Sequence, residues 1–145
     1  MDEDIGNMNI KNARVPEQVA SMERIERDGV CPFCPEHLKK YHEPPIVKEG
    51  MYWVVTPNMY PYDNTAHHFL FIAKEHLTDS TELTPEAWAE LQELMKWLIT
   101  EYRIESCTML MRSGDMSKTG ATVLHLHAQF IVGKDKDKPI LTRVG

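Results

Sequence analysis

The stretch Leu124-His125-Leu126-His127-Ala128-Gln129-Phe130 carries three polar side chains at every second position, with apolar residues between them. Successive side chains of an extended strand point to opposite faces. His125, His127 and Gln129 are therefore expected to share one face, with Leu124, Leu126, Ala128 and Phe130 buried on the other. Imidazole is a metal ligand, a base or a nucleophile near neutral pH, and the Gln129 amide can donate to an anionic oxygen. An amphipathic strand with a solvated face would show the same alternation, but two histidines in register favour chemistry.

Two kinds of chemistry fit. The first is metal binding. Cys31-Pro32-Phe33-Cys34 supplies half of a tetrahedral zinc site and needs two further ligands. The candidates are His37, His42, His67, His68, His76, His125 and His127. His76 ends one expected strand and His125 lies on another, so these two can converge. A redox dithiol would need a βαβ pattern, which this chain lacks. The second is nucleophilic. A neutral His127 nitrogen can attack phosphorus and form a phosphoramidate, splitting one hard displacement into two easier ones. That requires its other nitrogen to donate to a fixed acceptor. The loop Ser113–Thr122 offers Gly120, where backbone can approach a ligand, and the Thr122 hydroxyl, with Arg112 and Lys118 as local cations.

The elements that must position these groups follow from patterning. Residues 1–15 are polar and unpatterned and are expected to lack order; 16–145 form one domain, since 145 residues suit a single core. A helix is expected from Pro16 to Asp28, with Val19, Met22 and Ile25 on one side and Gly29 ending it. A shorter helix is expected over Pro35–Tyr41. Strands are expected at 51–55, 68–73, 107–112 and through the histidine row, with a loop at 57–65. The clearest helix runs from about Thr84 to Arg103. Thr84 caps it, Trp88, Leu91, Met95, Leu98 and Tyr102 form its apolar stripe, and Glu86, Glu90, Glu93 and Lys96 face away. Cys107 reads as a small core residue. Together these predict an α+β fold: an antiparallel sheet with the long helix on one face and shorter N-terminal helices.

Composition narrows the function. The chain is 42% hydrophobic and 26% charged, ordinary for a globular domain. Its net charge of −6 argues against a nucleic-acid polymer as partner. No apolar run approaches membrane-spanning length. The acidic start Met1-Asp2-Glu3-Asp4 lacks the apolar core of a secretory signal, so a cytoplasmic location is expected.

His125-Leu126-His127-Ala128-Gln129 resembles the signature of the histidine-triad (HIT) superfamily. With Gln in third place it is more similar to the galactose-1-phosphate uridylyltransferase and diadenosine tetraphosphate phosphorylase branches than to the hydrolases with a third histidine. Cys31-Pro32-Phe33-Cys34 resembles the superfamily's zinc-binding start. Asn58-Met59-Tyr60-Pro61-Tyr62 and His68 to His76 resemble its middle block, and Gly120-Ala121-Thr122 its small-residue turn. The resemblance spans about residues 22 to 133. It implies a five-stranded antiparallel sheet, commonly in a homodimer. It implies His127 as nucleophile and Gln129 as donor to a phosphate oxygen of the covalent intermediate. It also implies Cys31, Cys34, His76 and His125 as ligands of a structural zinc, Asn58 at the ribose, and Thr122 at phosphate or leaving group. Two departures stand out. Arg112-Ser113-Gly114 lies where many members have Asn, in a loop about two residues longer. The hexose-recognition parts of the large uridylyltransferases have no room in 145 residues.

The expected function is a nucleotidyl hydrolase or transferase acting at the α-phosphorus of a nucleoside phosphate ester, dinucleoside polyphosphate or phosphoramidate. Mg²⁺ would arrive, if at all, with a polyphosphate substrate. The alternative is a catalytically weak nucleotide-binding or zinc-stabilised interaction protein.

Overall fold

The computed structural model describes residues 7–145. Its centre is a five-stranded antiparallel sheet in the order β1-β2-β3-β5-β4. The strands are β1 (Lys48–Glu49), β2 (Trp53–Pro57), β3 (Thr65–Ala73), β4 (Thr108–Met111) and β5 (His127–Gly133), and the helices are α1 (Pro16–Asp28), α2 (Pro35–Tyr41) and α3 (Pro85–Glu101). The α+β architecture is as expected.

Alternation assigns the two faces of the sheet. Trp53, Val55, Phe69, Phe71, Ala73, Ala128 and Phe130, with Leu126 just before β5, pack against Leu91, Leu94 and Leu98 of α3. On the other face Val54, Leu70 and Ile72 meet Leu38 of α2. A second cluster there joins Met22 and Ile25 of α1 to Met8, Tyr41 and Val123. Helices therefore cover both faces, where the sequence pattern placed only the long one. His127 pairs with Ile72 and Gln129 with Leu70 across β3, which puts both polar residues on the face under the N-terminal helices.

Several local expectations hold. Pro16 opens α1 and Gly29 closes it in the left-handed region (φ 65°), where glycine has no Cβ penalty. Thr84 caps α3 by accepting from the Ala87 N–H at 3.1 Å.

Others differ. The buried stripe of α3 is Ala87, Leu91, Leu94 and Leu98, and Trp88 is 46% exposed. Both stripes satisfy a 3.6-residue period, and the contact with the sheet chooses between them. Cys107 is exposed rather than in the core, because it precedes β4, the edge strand. The histidine strand begins only at His127, so His125 lies in an irregular turn before it. Of the segment 1–15, expected to lack order, residues 1–6 lie outside the described residues; in the remainder Met8 is buried and bridges Val123, while Arg14 and Val15 are exposed. The Asn12 amide donates to the carbonyls of Ala121 (2.7 Å) and Thr119 (3.2 Å). Such stapling leaves no periodicity in a sequence.

Glu90 does not face away. Its carboxylate accepts from the N–H groups of Met51 (2.9 Å), Tyr52 (2.9 Å) and Trp53 (3.1 Å), pinning α3 to the start of β2. A Cβ at Gly50 would meet that carboxylate, so a larger residue there would push it off the three N–H groups. Glu90→Ala strands three donors at the sheet edge and should cost about 2 kcal/mol, lowering Tm by roughly 5 °C. The exposed Glu93→Ala should stay within about 0.5 kcal/mol of wild type. Thermal and urea denaturation of both variants checks this.

Candidate functional site

Strand β5 and the turn before it send their polar groups in two directions. Cys31 and Cys34, ahead of α2, come together with His76, beyond β3, and His125. One ligand atom from each residue lies within 4.8 Å of all the others. His125 Nδ1 is 3.5 Å from Cys31 Sγ, 3.6 Å from Cys34 Sγ and 3.2 Å from His76 Nδ1, and Cys34 Sγ is 3.3 Å from His76 Nδ1. A tetrahedron with zinc-type bonds of about 2.0–2.3 Å has edges of about 3.3–3.8 Å, so the donor set fits such an ion. Nε2–H of His125 donates to the Ala73 carbonyl. This leaves the Nδ1 lone pair facing the sulfurs, an orientation typical of a metal-binding imidazole. Burial pushes the Cys34 thiol up to about 12, with Cys31 adding to the rise. A cation is what would let these sulfurs ionise together. His37, His42, His67 and His68 lie outside the cluster.

His127 is half-buried and turns the other way. Its Nδ1 is 2.7 Å from the His125 carbonyl. A carbonyl only accepts, so Nδ1 carries the hydrogen and Nε2 keeps its lone pair. Burial lowers the His127 pKa to about 4, with the Arg112 charge contributing in the same direction, so the ring is neutral at pH 7. It borders a cavity of about 380 Å³, also lined by Asn58, Arg112, Gly120, Thr122 and Gln129. His127, Gln129, Asn58, Arg112, Gly120 and Thr122 thus border one cavity, whereas Lys118, the other cation named from the sequence, does not line it. Phe33, inside the Cys-Pro-Phe-Cys segment, stands edge-on to His127 (5.1 Å between ring centres) and to His125 (6.2 Å). It walls the cysteine-histidine cluster from the cavity.

A third histidine, considered in the sequence only as a metal ligand, supports Gln129. The Tyr62 N–H donates to His68 Nδ1 at 3.0 Å, so the hydrogen of this neutral ring sits on Nε2. That Nε2–H donates to Gln129 Oε1 at 2.7 Å. With its oxygen engaged, Gln129 has only its NH₂ group to offer the cavity. Asn58 accepts from the Tyr60 N–H at 2.8 Å, and its Nδ2 lies 3.1 Å from His68 Nε2. A histidine two residues from an aromatic strand core gives no sequence cue to this role.

Arg14, Tyr60, Tyr62 and Arg143 also line the cavity; from the sequence none of them has a role, and Tyr60 and Tyr62 figure there only within the block that resembles the superfamily. Gly120 is approached not only by the cavity but by the C-terminal tail: a Cβ there would meet the Arg143 backbone and lie 3.0 Å from Arg112 Nη2.

Among the described residues, no helix is long and apolar enough to cross a membrane. No protein-family model matches the chain, and no curated protein matches it in sequence. Solved structures do match in fold. A histidine triad nucleotide-binding protein from Candida albicans is 19% identical with a TM-score of 0.61, covering 80% of this chain and 80% of its own. A Zn-bound histidine triad family protein from Mycobacterium smegmatis is 19% identical with a TM-score of 0.57, covering 79% of this chain and 82% of its own. A HIT family hydrolase from Clostridium thermocellum is 22% identical with a TM-score of 0.57, covering 77% and 96%. At these identities the likeness is one of fold.

Burial holds the His68 pKa at about 4, although its bond to Gln129 opposes the shift. In the unfolded chain the value is about 6.5, so the unfolded state takes the proton first. The stability associated with neutral His68 is fully present above about pH 6.5. It falls, by up to about 1.4 kcal/mol per pH unit, as pH drops towards 4. Urea denaturation at pH 7 and pH 5 should show a smaller loss for His68→Asn than for wild type.

Proposed function

We propose that this chain is a histidine-triad nucleotidyl hydrolase or transferase with a covalent nucleotidyl-histidine intermediate. The observation that carries this function is the state of His127: a neutral ring, its Nδ1–H tied to the His125 carbonyl at 2.7 Å, its Nε2 lone pair beside a cavity that also holds Gln129.

In the first step Nε2 of His127 attacks the α-phosphorus of a nucleoside phosphate ester, anhydride or phosphoramidate. The N–P bond forms as the bond to the leaving oxygen or nitrogen breaks, a leaving amine taking its proton from solvent water, and the imidazolium positive charge is spread towards the His125 carbonyl. The Gln129 NH₂ donates to a non-bridging oxygen whose charge grows at the transition state. In the second step an acceptor oxygen, from water or phosphate, forms the new P–O bond as the N–P bond breaks and its electron pair returns to Nε2. Asn58 is assigned to the ribose, and Thr122 and Gly120 to the phosphate or leaving group; all three line the cavity. Gln129 is neutral and cannot act as an acid, so good leaving groups such as phosphates are favoured.

Zinc is proposed as a structural ion held by Cys31, Cys34, His76 and His125. Bound there, it would tie the segment ahead of α2 to the turn that carries the His127 acceptor carbonyl. The ion takes no part in the steps above. A homodimer is also proposed; among the described residues β4 is an edge strand that pairs only with β5.

Three measurements test this. Incubation with an α-labelled dinucleoside polyphosphate and acid-free isolation should give acid-labile, base-stable label on wild type. Equal label on His127→Ala would rule out covalent catalysis at this residue, and kcat/KM of that variant should fall at least about 10³-fold. Removing the Nε2–H donor in His68→Phe should lower kcat about 10-fold or more, since the Gln129 amide is then free to rotate. Metal analysis should find one zinc per chain in wild type and little in His76→Ala, with a lower Tm; full zinc in that variant would count against a four-ligand site.

A further inference from the structure

We propose that Arg14 and Arg112, gathered around Tyr62, form an anion subsite beside His127 for a phosphate-type group other than the one under attack. This rests on the phosphorus-transfer reading above and adds to it the residues that would discriminate for a second phosphate on the donor or the acceptor.

The chain has a net charge of −6, yet two guanidinium groups share one cavity wall. The Arg14 Cζ lies 4.4 Å from the centre of the Tyr62 ring, and Arg112 Nη2 lies 3.4 Å from the Tyr62 hydroxyl oxygen. Arg14 enters from the segment before α1 and Arg112 from just after β4, so folding brings together two cations far apart in the sequence. That costs energy unless something negative joins them.

Nothing negative within the described protein does. Its ion pairs are Lys74–Glu49 at 2.7 Å and Lys96–Glu93 at 3.8 Å, both away from this wall. Among the described residues no carboxylate reaches either arginine at salt-bridge distance, and Asp63 acts on Arg14 only from farther off. Their hydrogen-bond partners are neutral oxygens. Arg14 donates to the Tyr60 carbonyl. Arg112 donates to the Thr142 hydroxyl at 2.8 Å and to the Arg143 carbonyl at 2.6 Å. The tail thus occupies Arg112 donors and leaves its charge uncompensated.

Both arginines border the same cavity as His127 and Gln129. Gln129 supplies a neutral donor for the phosphorus being attacked. The arginines supply charge and planar forks for the next one, matching a tetrahedral anion with several oxygens. The occupant has two possible sources: the leaving-group phosphate of a nucleoside polyphosphate, or free orthophosphate acting as acceptor.

The test uses the full chain. In calorimetric titration with inorganic pyrophosphate, Arg14→Gln and Arg112→Gln should each weaken binding about tenfold, and Arg112→Lys, which keeps the charge, should weaken it less. In parallel, kcat/KM is measured for a dinucleoside tetraphosphate and for a nucleoside phosphoramidate whose leaving amine is neutral. The ratio of the two should fall about tenfold in each Gln variant. Orthophosphate is then added with the phosphoramidate as donor. Arginine-dependent formation of nucleoside diphosphate identifies free phosphate as the occupant. A changed ratio without that product identifies the leaving group.

The proposal is overturned if a folded Arg14→Gln/Arg112→Gln double variant binds pyrophosphate, and keeps the substrate ratio, within twofold of wild type. The functional reading fails separately. Arginine-dependent pyrophosphate binding in a wild type that turns over neither substrate keeps the subsite and removes the enzyme. Turnover with arginine-independent pyrophosphate binding does the reverse.

Discussion

His125 has two polar ends that do unrelated work. Its ring is fully buried, with Nε2–H on the Ala73 carbonyl and Nδ1 among Cys31, Cys34 and His76. Its own carbonyl accepts from Nδ1 of His127. The orientation of one peptide unit therefore decides which nitrogen of His127 is free. With its ring held at both nitrogens, His125 is fixed in place, and its backbone carbonyl is the acceptor that sets the tautomer of His127. Residue 125 lies in the irregular turn before β5, and from there its ring reaches the cysteines.

The rest of the architecture keeps that unit rigid. The apolar face of the sheet is closed by α3, and Leu126, Ala128 and Phe130 anchor the strand from below. On the other face helix α2 begins directly after Cys34, so the cluster sits at the joint between the loop and a helix. Phe33 uses its edge to separate a cluster of soft sulfur and nitrogen donors from a cavity suited to hard oxygen anions. Two sites of different chemistry can then lie a few ångströms apart on one strand.

Electrostatically the molecule is acidic outside and basic at one wall within. Local fields, not net charge, set what a cleft attracts. Neutral histidines suit such a wall. His68 and His127 are each held at about 4 by burial, with nearby arginine charge acting the same way. The cavity's positive charge therefore comes from arginines, which stay ionised, and its nucleophile stays uncharged.

Alternation in Leu126 to Phe130 was enough to assign faces, because strand side chains have a fixed period of two. The capped start of α3, the end of α1 at Gly29 and the antiparallel α+β layout were legible for similar local reasons. Six of the residues lining the cavity, and the four of the cysteine-histidine cluster, could be named because their chemistry is rare and their order resembles a known pattern. Other features had no local signature. The stripe of α3 depended on which of two equivalent helical faces met the sheet, and the exposure of Cys107 on which strand became the edge. The tautomers of His68 and His127 depended on partners that are not adjacent polar residues in a pattern: a backbone N–H and a carbonyl. The meeting of Arg14 with Arg112, and of Asn12 with the loop at 119–121, joins residues about a hundred positions apart. Periodicity reports a residue's own backbone, whereas these contacts are set by where distant backbones come to rest.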